Sequence, residues 1–162
     1  MHPTRVTHRA ARRIGRAILI ALAALLLSKN AEAAPSCTIT PTGVSFGSYD
    51  VFNVTATDST GSITFKCKGS AANITVTISK GGSASFTPRL MTGGTDSLSY
   101  NLYLDAARST IWGDGTGGTQ SYANAAPPNN LNVVVTIYAR VTAGQDVSAG
   151  SYSDSVTAII NF

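Results

Sequence analysis

From residue 37 onward, apolar side chains recur at every second position in short runs separated by glycine, serine, threonine, asparagine and aspartate. Side chains alternate between the two faces of a strand, whereas a helix repeats every 3.6 residues, so a period of two commits this chain to strands with one buried face. Over residues 61–68, Ile63, Phe65 and Cys67 share a face opposite Lys66 and Lys68. Residues 72–79 repeat the pattern, with Ile74, Val76 and Ile78 against Asn73, Thr75 and Thr77. Leu98, Tyr100, Leu102 and Leu104 line one face of the next run, residues 131–141 return to strand, and Val156, Ala158, Ile160 and Phe162 alternate through residues 152–162. Shorter runs are expected at 37–40, 44–47, 51–57 and 89–91, and the glycine-rich, then proline-containing stretch 112–128 reads as a long surface loop. Residues 61–68 and 72–79 are expected to be neighbours in one sandwich. No sustained helical period follows residue 33. Six or seven such strands with one disulfide predict an all-β, immunoglobulin-like sandwich whose strand order spacing alone does not reveal.

The first 33 residues obey a different rule. Arg5, Arg9, Arg12, Arg13 and Arg16 precede an apolar run at 17–27, and Ala31-Glu32-Ala33 supplies a small-x-small cleavage site. This is the pattern of a secretory signal peptide, with an apolar run too short to span a bilayer and so no membrane anchor once it is cut. Ile14-Gly15-Arg16 stands where a twin-arginine signal carries apolar residues, which favours the general secretory route. The domain division expected is therefore 1–33 leader and 34–162 a single domain, exported to the periplasm and then to the cell surface or beyond.

Cleavage after Ala33 would remove both histidines, the single glutamate and six of the twelve basic residues. The 129 residues left carry six basic and seven acidic side chains, a formal charge of −1. Such a chain cannot neutralise a phosphate backbone, which argues against nucleic acid as a partner. Cys37 and Cys67 are the only cysteines, and in an oxidising compartment they read as one disulfide. A metal pair or a redox dithiol is disfavoured, because the spacing is far from C-x-x-C and no histidine remains to complete a zinc site.

The same inventory removes Ser-His-Asp and Cys-His catalysis, so no enzyme, cofactor or metal role is expected. Lys66, Lys68 and Lys80 read as solvated rather than as partners of a catalytic serine. Asp114-Gly115-Thr116-Gly117 has one copy where a carboxylate pair needs two, and reads as a turn. Asp105 and Arg108 are expected to pair across a turn, and Asp154 to cap one. The aromatic residues Trp112, Tyr122 and Tyr138 are candidates for a surface that binds sugar or another ligand, against the commoner fate of burial.

Four stretches carry a resemblance: Val44-Ser-Phe-Gly-Ser-Tyr-Asp50, Leu98-Ser-Tyr-Asn-Leu-Tyr-Leu-Asp-Ala-Ala-Arg108, Trp112-Gly-Asp-Gly115 and Ala149-Gly-Ser-Tyr-Ser-Asp-Ser-Val156. With the apolar run ending in Phe162, they resemble the spore coat protein U domain over the whole of residues 34–162. That family includes subunits of archaic chaperone-usher pili as well as spore coat proteins. The resemblance implies an incomplete, pilin-like sandwich lacking its final strand, with an apolar groove filled first by a periplasmic chaperone and then by the N-terminal extension of another pilin-like subunit at an outer-membrane usher. Strand addition of this kind draws affinity from main-chain hydrogen bonds and selectivity from pockets for alternate side chains. Val156, Ile160 and Phe162 are the expected groove residues. Polymerising members carry a donor segment before the first cysteine; here, after cleavage at Ala33, only Ala34, Pro35 and Ser36 precede Cys37, about 10 Å of chain. The expectation is a strand acceptor without a donor strand, as a structural subunit of a fibre or coat, with a tip adhesin or a stand-alone coat protein as the alternative.

Overall fold

The longer apolar runs pair with one another across antiparallel ladders. The computed structural model describes residues 33–162; the expected leader lies outside the described residues apart from Ala33. Among the described residues eight strands are formed: β1 (Ser36–Thr42), β2 (Thr57–Lys68), β3 (Ile74–Ile78), β4 (Arg89–Gly93), β5 (Asp96–Tyr103), β6 (Tyr122–Asn124), β7 (Asn132–Val141) and β8 (Ala158–Asn161). They make a five-stranded sheet in the order β1-β2-β7-β5-β4 and a three-stranded sheet in the order β6-β3-β8. All pairs between named strands are antiparallel.

The twelve-residue β2 is the spine, pairing with β1 on one side and β7 on the other. Its inward residues Ile63, Phe65 and Cys67 are buried. They face Ile74, Val76 and Ile78 of β3 in the opposite sheet, so the two runs expected to be neighbours meet across the core and not along an edge. Leu98, Tyr100 and Leu102 of β5 and Val135, Ile137, Ala139 and Val141 of β7 complete the layer. Each large aliphatic side chain removed from water here contributes about 1.5–3 kcal/mol. Cys37 lies directly opposite Cys67 in the β1–β2 register, and the two form the disulfide.

Four local expectations are corrected. Residues 51–57 form no strand before Thr57, because the Asp50 and Asn53 side chains capture the backbone N–H of Phe52 and Thr55 at 3.0 Å each and wind the chain into two turns. Residues 44–47 have strand alternation but no strand partner. The expected surface loop at 112–128 contains β6 and the fully buried Trp112. In the last run only Ala158–Asn161 pairs, with β3.

Arg89 opens the edge strand β4 and is itself fully buried. Its Nε and Nη2 donate to Ser79 O at 3.1 and 3.0 Å, Nη2 also to Trp112 O at 2.6 Å, and Nη1 to Asn101 Oδ1 at 2.7 Å. The guanidinium thus binds β4 and β5 to the chain leaving β3 and to the Trp112 turn. Loss of water lowers its pKa from the ordinary arginine value, opposed by Tyr100 and by the carboxylates of Asp154 and Asp114. On the outer face, Asp58 receives both Arg140, at 2.7 and 2.8 Å, and Arg108, at 3.2 Å. The Arg108 side chain is therefore not paired with the Asp105 carboxylate, which accepts from Ser109 N and Thr110 N; the two residues meet across the turn after β5 through the backbone, Arg108 N donating to Asp105 O at 3.0 Å.

Candidate functional site: an open seam between the sheets

Two sheets that pack face to face should shut at both flanks, and along one flank these do not. A cleft of about 1120 Å³ enters the core there. Its floor is made of core side chains from both sheets, Ile63, Ile78, Met91, Leu98, Tyr100, Leu102, Ile137 and Val141. One wall is the end of β1 and the chain that follows it, residues 41–51, and the other is residues 147–156 together with Ala158 of β8. β8 ends the three-stranded sheet, so among the described residues no strand is hydrogen-bonded to its outer edge.

The walls carry an unusual hydrogen-bond balance. Among the described residues, neither 43–49 nor 147–150 makes a backbone–backbone hydrogen bond outside the named strands. Side chains supply what bonding there is: Ser59 Oγ donates to Ser45 O at 2.6 Å, Ser148 N donates to Asp96 Oδ2 at 2.8 Å, and Tyr152 OH donates to Ser148 O at 2.7 Å. A run of unpaired main-chain groups beside an apolar floor is the arrangement that an added strand completes.

One end of the cleft carries a phenol bonded to a carboxylate. Tyr100 OH donates to Asp154 Oδ2 at 2.7 Å, and Asp154 Oδ1 accepts from Gly82 N at 2.9 Å and Ser155 N at 2.8 Å. Burial first, then the bond to Asp154, pushes the Tyr100 phenol well above its ordinary value, so it stays neutral. Asp154 is thus a turn cap, as its position suggested, and also joins the wall to β5.

Of the residues expected in a groove, Val156 lines the cleft and is 38 % exposed. Ile160 sits on β8 opposite Val76 and packs against the core, while Phe162 lies beyond β8, half exposed and outside the cleft lining. The floor residues were legible only as core, because a strand facing an open seam has the same alternation as one facing a closed core. Tyr49, Tyr100 and Asp154 escaped notice as site residues, although Tyr49, Asp50, Tyr152 and Asp154 all fall in the stretches that carried the family resemblance.

Trp112 is not a surface residue: it is fully buried and its Nε1 donates to Val76 O at 2.9 Å. Burial satisfies both the ring and its one polar atom, which corrects the expectation of a ligand surface there. Tyr122 and Tyr138 instead meet at a shallow depression of about 360 Å³ on another flank, with Leu104, Ser121, Val134 and Thr136. Tyr122 also stacks inward on Phe65 and Trp112, at 6.0 and 6.3 Å between ring centroids.

A disulfide-linked β1–β2 pair, two antiparallel sheets and a seam left open beside the last strand define an incomplete immunoglobulin-like sandwich of the pilin type. The Spore Coat Protein U domain model matches residues 21–159, and the chain belongs to that family. Protein U of Myxococcus xanthus is 33 % identical over 132 residues, covering 74 % of this chain and 71 % of that one. Among solved structures, a chain from the complex of CsuC with CsuE, the chaperone and tip adhesion subunit of the archaic chaperone-usher Csu pili of Acinetobacter baumannii, superposes with a TM-score of 0.56 at 22 % identity. That match covers 80 % of this chain and 40 % of the other, so this chain spans less than half of its length. HdaB, the minor tip subunit of the E. coli Hda pilus, matches at a TM-score of 0.42 and 18 % identity over 76 % of this chain and 79 % of that one.

Proposed function

We propose that residues 34–162 form a secreted structural subunit of a bacterial surface fibre or coat, exported through the periplasm and assembled by accepting a strand into the open seam. The observation that carries this reading is the pairing of an apolar floor with wall segments, residues 43–49 and 147–150, that form no backbone ladder. An extended segment laid beside β8 would satisfy those groups and bury alternate side chains on Ile63, Ile137 and Leu98, each large one worth about 1.5–3 kcal/mol. Family membership and the fold shared with the Csu pilus chain support a periplasmic chaperone, an outer-membrane usher and other pilin-like subunits as partners. The role is structural and not catalytic.

With cleavage after Ala33, this subunit accepts a strand and has none to donate, which suits an end of a fibre or a coat. The test is periplasmic expression of the full chain with and without a pilus chaperone. Chaperone-dependent recovery of a one-to-one complex is expected; recovery of a stable, fully folded monomer without it would overturn the incomplete-fold reading. A second reading, a tip adhesin, draws on the depression shared by Tyr122 and Tyr138. Tyr138→Ala with fold retained and adhesion lost would favour it, and unchanged adhesion would count against it.

A further inference from the structure

The two walls of the seam are held in different ways. In the wall before β8, Ser153 exchanges two backbone hydrogen bonds with Thr92 of β4, at 2.9 and 3.1 Å, and Thr157 O accepts from Ser79 N at 2.9 Å. Its side chains sit in notches that only glycine leaves free: a Cβ on Gly93 would meet Ser151 O and the Tyr152 ring, and one on Gly81 would collide with the Asp154 carboxylate. This wall is built in.

The opposite wall, residues 43–49, is hung on side chains. Ser59 Oγ of β2 holds Ser45 O, and the Tyr49 hydroxyl donates to Thr142 O at 3.0 Å while accepting from Gln145 N at 2.9 Å. The far side of that latch is firm, because Gln145 is clamped to the backbone of Ser99 at 2.6 and 2.9 Å. Val44, Phe46 and Tyr49 lie against the core, with the Phe46 ring edge-on to Tyr100 at 6.1 Å. The segment therefore covers part of the floor that an added strand would need. Gly43 stands at its start, and Gly47, at φ +70°, breaks it near the middle. Yet Val44 and Phe46 point inward and Ser45 outward, the alternation of a strand, in a stretch that runs beside residues 59–61 of β2 without forming a backbone ladder with them. Conflict between local pattern and observed conformation marks functional sites more often than ordinary ones.

We propose that residues 43–49 are a gate on the seam and that Tyr49 is its latch. The strap stays unpaired while the cleft is empty, swings on Gly43 and Gly47 when the Tyr49 hydroxyl lets go, and re-forms as a β-strand hydrogen-bonded to the arriving segment. Tyr49 is a positioning residue: it controls how fast a strand enters and makes no contact that selects which strand. This inference rests on the strand-acceptor reading.

Tyr49→Phe keeps the ring and removes both latch bonds; Ser59→Ala releases the strap from β2 without altering the strap itself. The measurement is hydrogen–deuterium exchange of residues 44–48 in the full chain, together with uptake of a synthetic peptide of alternating valine and threonine, about ten residues long. Near-ultraviolet circular dichroism checks that each variant is folded. Loss of hydrogen bonds of ordinary strength should speed exchange in the strap and peptide association roughly threefold to tenfold in each variant, with dissociation changed less. Exchange and uptake equal to the parent in both variants overturn the gate and leave the acceptor reading standing. Failure of the parent and of both variants to take up any peptide overturns the acceptor reading and the gate with it.

Discussion

A buried arginine without a carboxylate in contact is an expensive residue, and here its cost is offset by carbonyls. Arg89 gives four hydrogen bonds to Ser79, Trp112 and Asn101, and the Phe86 ring lies 5.1 Å from its guanidinium carbon. Arg89→Ala would strand the carbonyls of Ser79 and Trp112 and leave Asn101 Oδ1 with only the Leu102 N–H, and is expected to destabilise the domain by about 3 kcal/mol in urea unfolding. Arg89→Lys should recover only part of that loss, since one ammonium cannot span the fork. The carboxylates set the acid limit. The Arg140 guanidinium holds Asp58 below the ordinary value of 3.8, and the Ser148, Ser109 and Thr116 donors hold Asp96, Asp105 and Asp114 below it. A depressed folded pKa contributes stability that is complete above the unfolded value and disappears as pH falls through the folded one. Tyr100 acts in the opposite sense: its raised pKa costs nothing below the ordinary value of 10.0, above which the unfolded phenol ionises first and stability falls. With no histidine after residue 33, thermal melts should therefore be flat from roughly pH 5 to 9 and fall away on either side. None of the buried polar chemistry could be read from the sequence, because Arg89 looks like any charged residue at a strand start and Trp112 like any aromatic in a glycine-rich turn.

At the scale of elements, alternation proved a sound guide to β2, β3, β5 and β7, whose inward faces are filled by the residues that the period selects. It failed where alternation is not matched by a ladder among the described residues: residues 44–47 alternate but form no backbone pairs, and residues 152–157 pair only through Ser153 and Thr157. A single sequence records which face a residue prefers and not whether a ladder lies beside it. β1 shows how an edge element is secured, since its inward Cys37 bonds across the ladder to Cys67 and closes a separation of 30 residues. Replacing both cysteines with alanine is expected to cost about 3–4 kcal/mol on the chain-entropy account, measured by the shift in urea midpoint. The loss should fall first on β1, so exchange of the amides in residues 36–42 should rise more than that of β7.

For the molecule as a whole, the strand-acceptor reading makes stability depend on what fills the open flank. A ligand that binds only the folded state adds RT ln(1 + [L]/Kd), about 2.7 kcal/mol at a hundredfold excess over Kd. The domain alone should melt at a temperature that rises with the concentration of an alternating apolar peptide, and should bind a hydrophobic dye that the peptide displaces. Val156→Asp, which sets a charge on the cleft lining, should weaken that rise without lowering the melting point of the empty domain by more than about 1 kcal/mol, because Val156 is already partly exposed.

The chain between Ser153 and Thr157 is bonded to β4 of one sheet at its first residue and to the end of β3 of the other at its last. Tension applied along a strand seated beside β8 would reach this crossing within a few residues and divide there between the two sheets. Two backbone bonds to β4 and one to the residue after β3 would share that load. A subunit open along one side is in this way braced against pulling at the place where a neighbour would take hold.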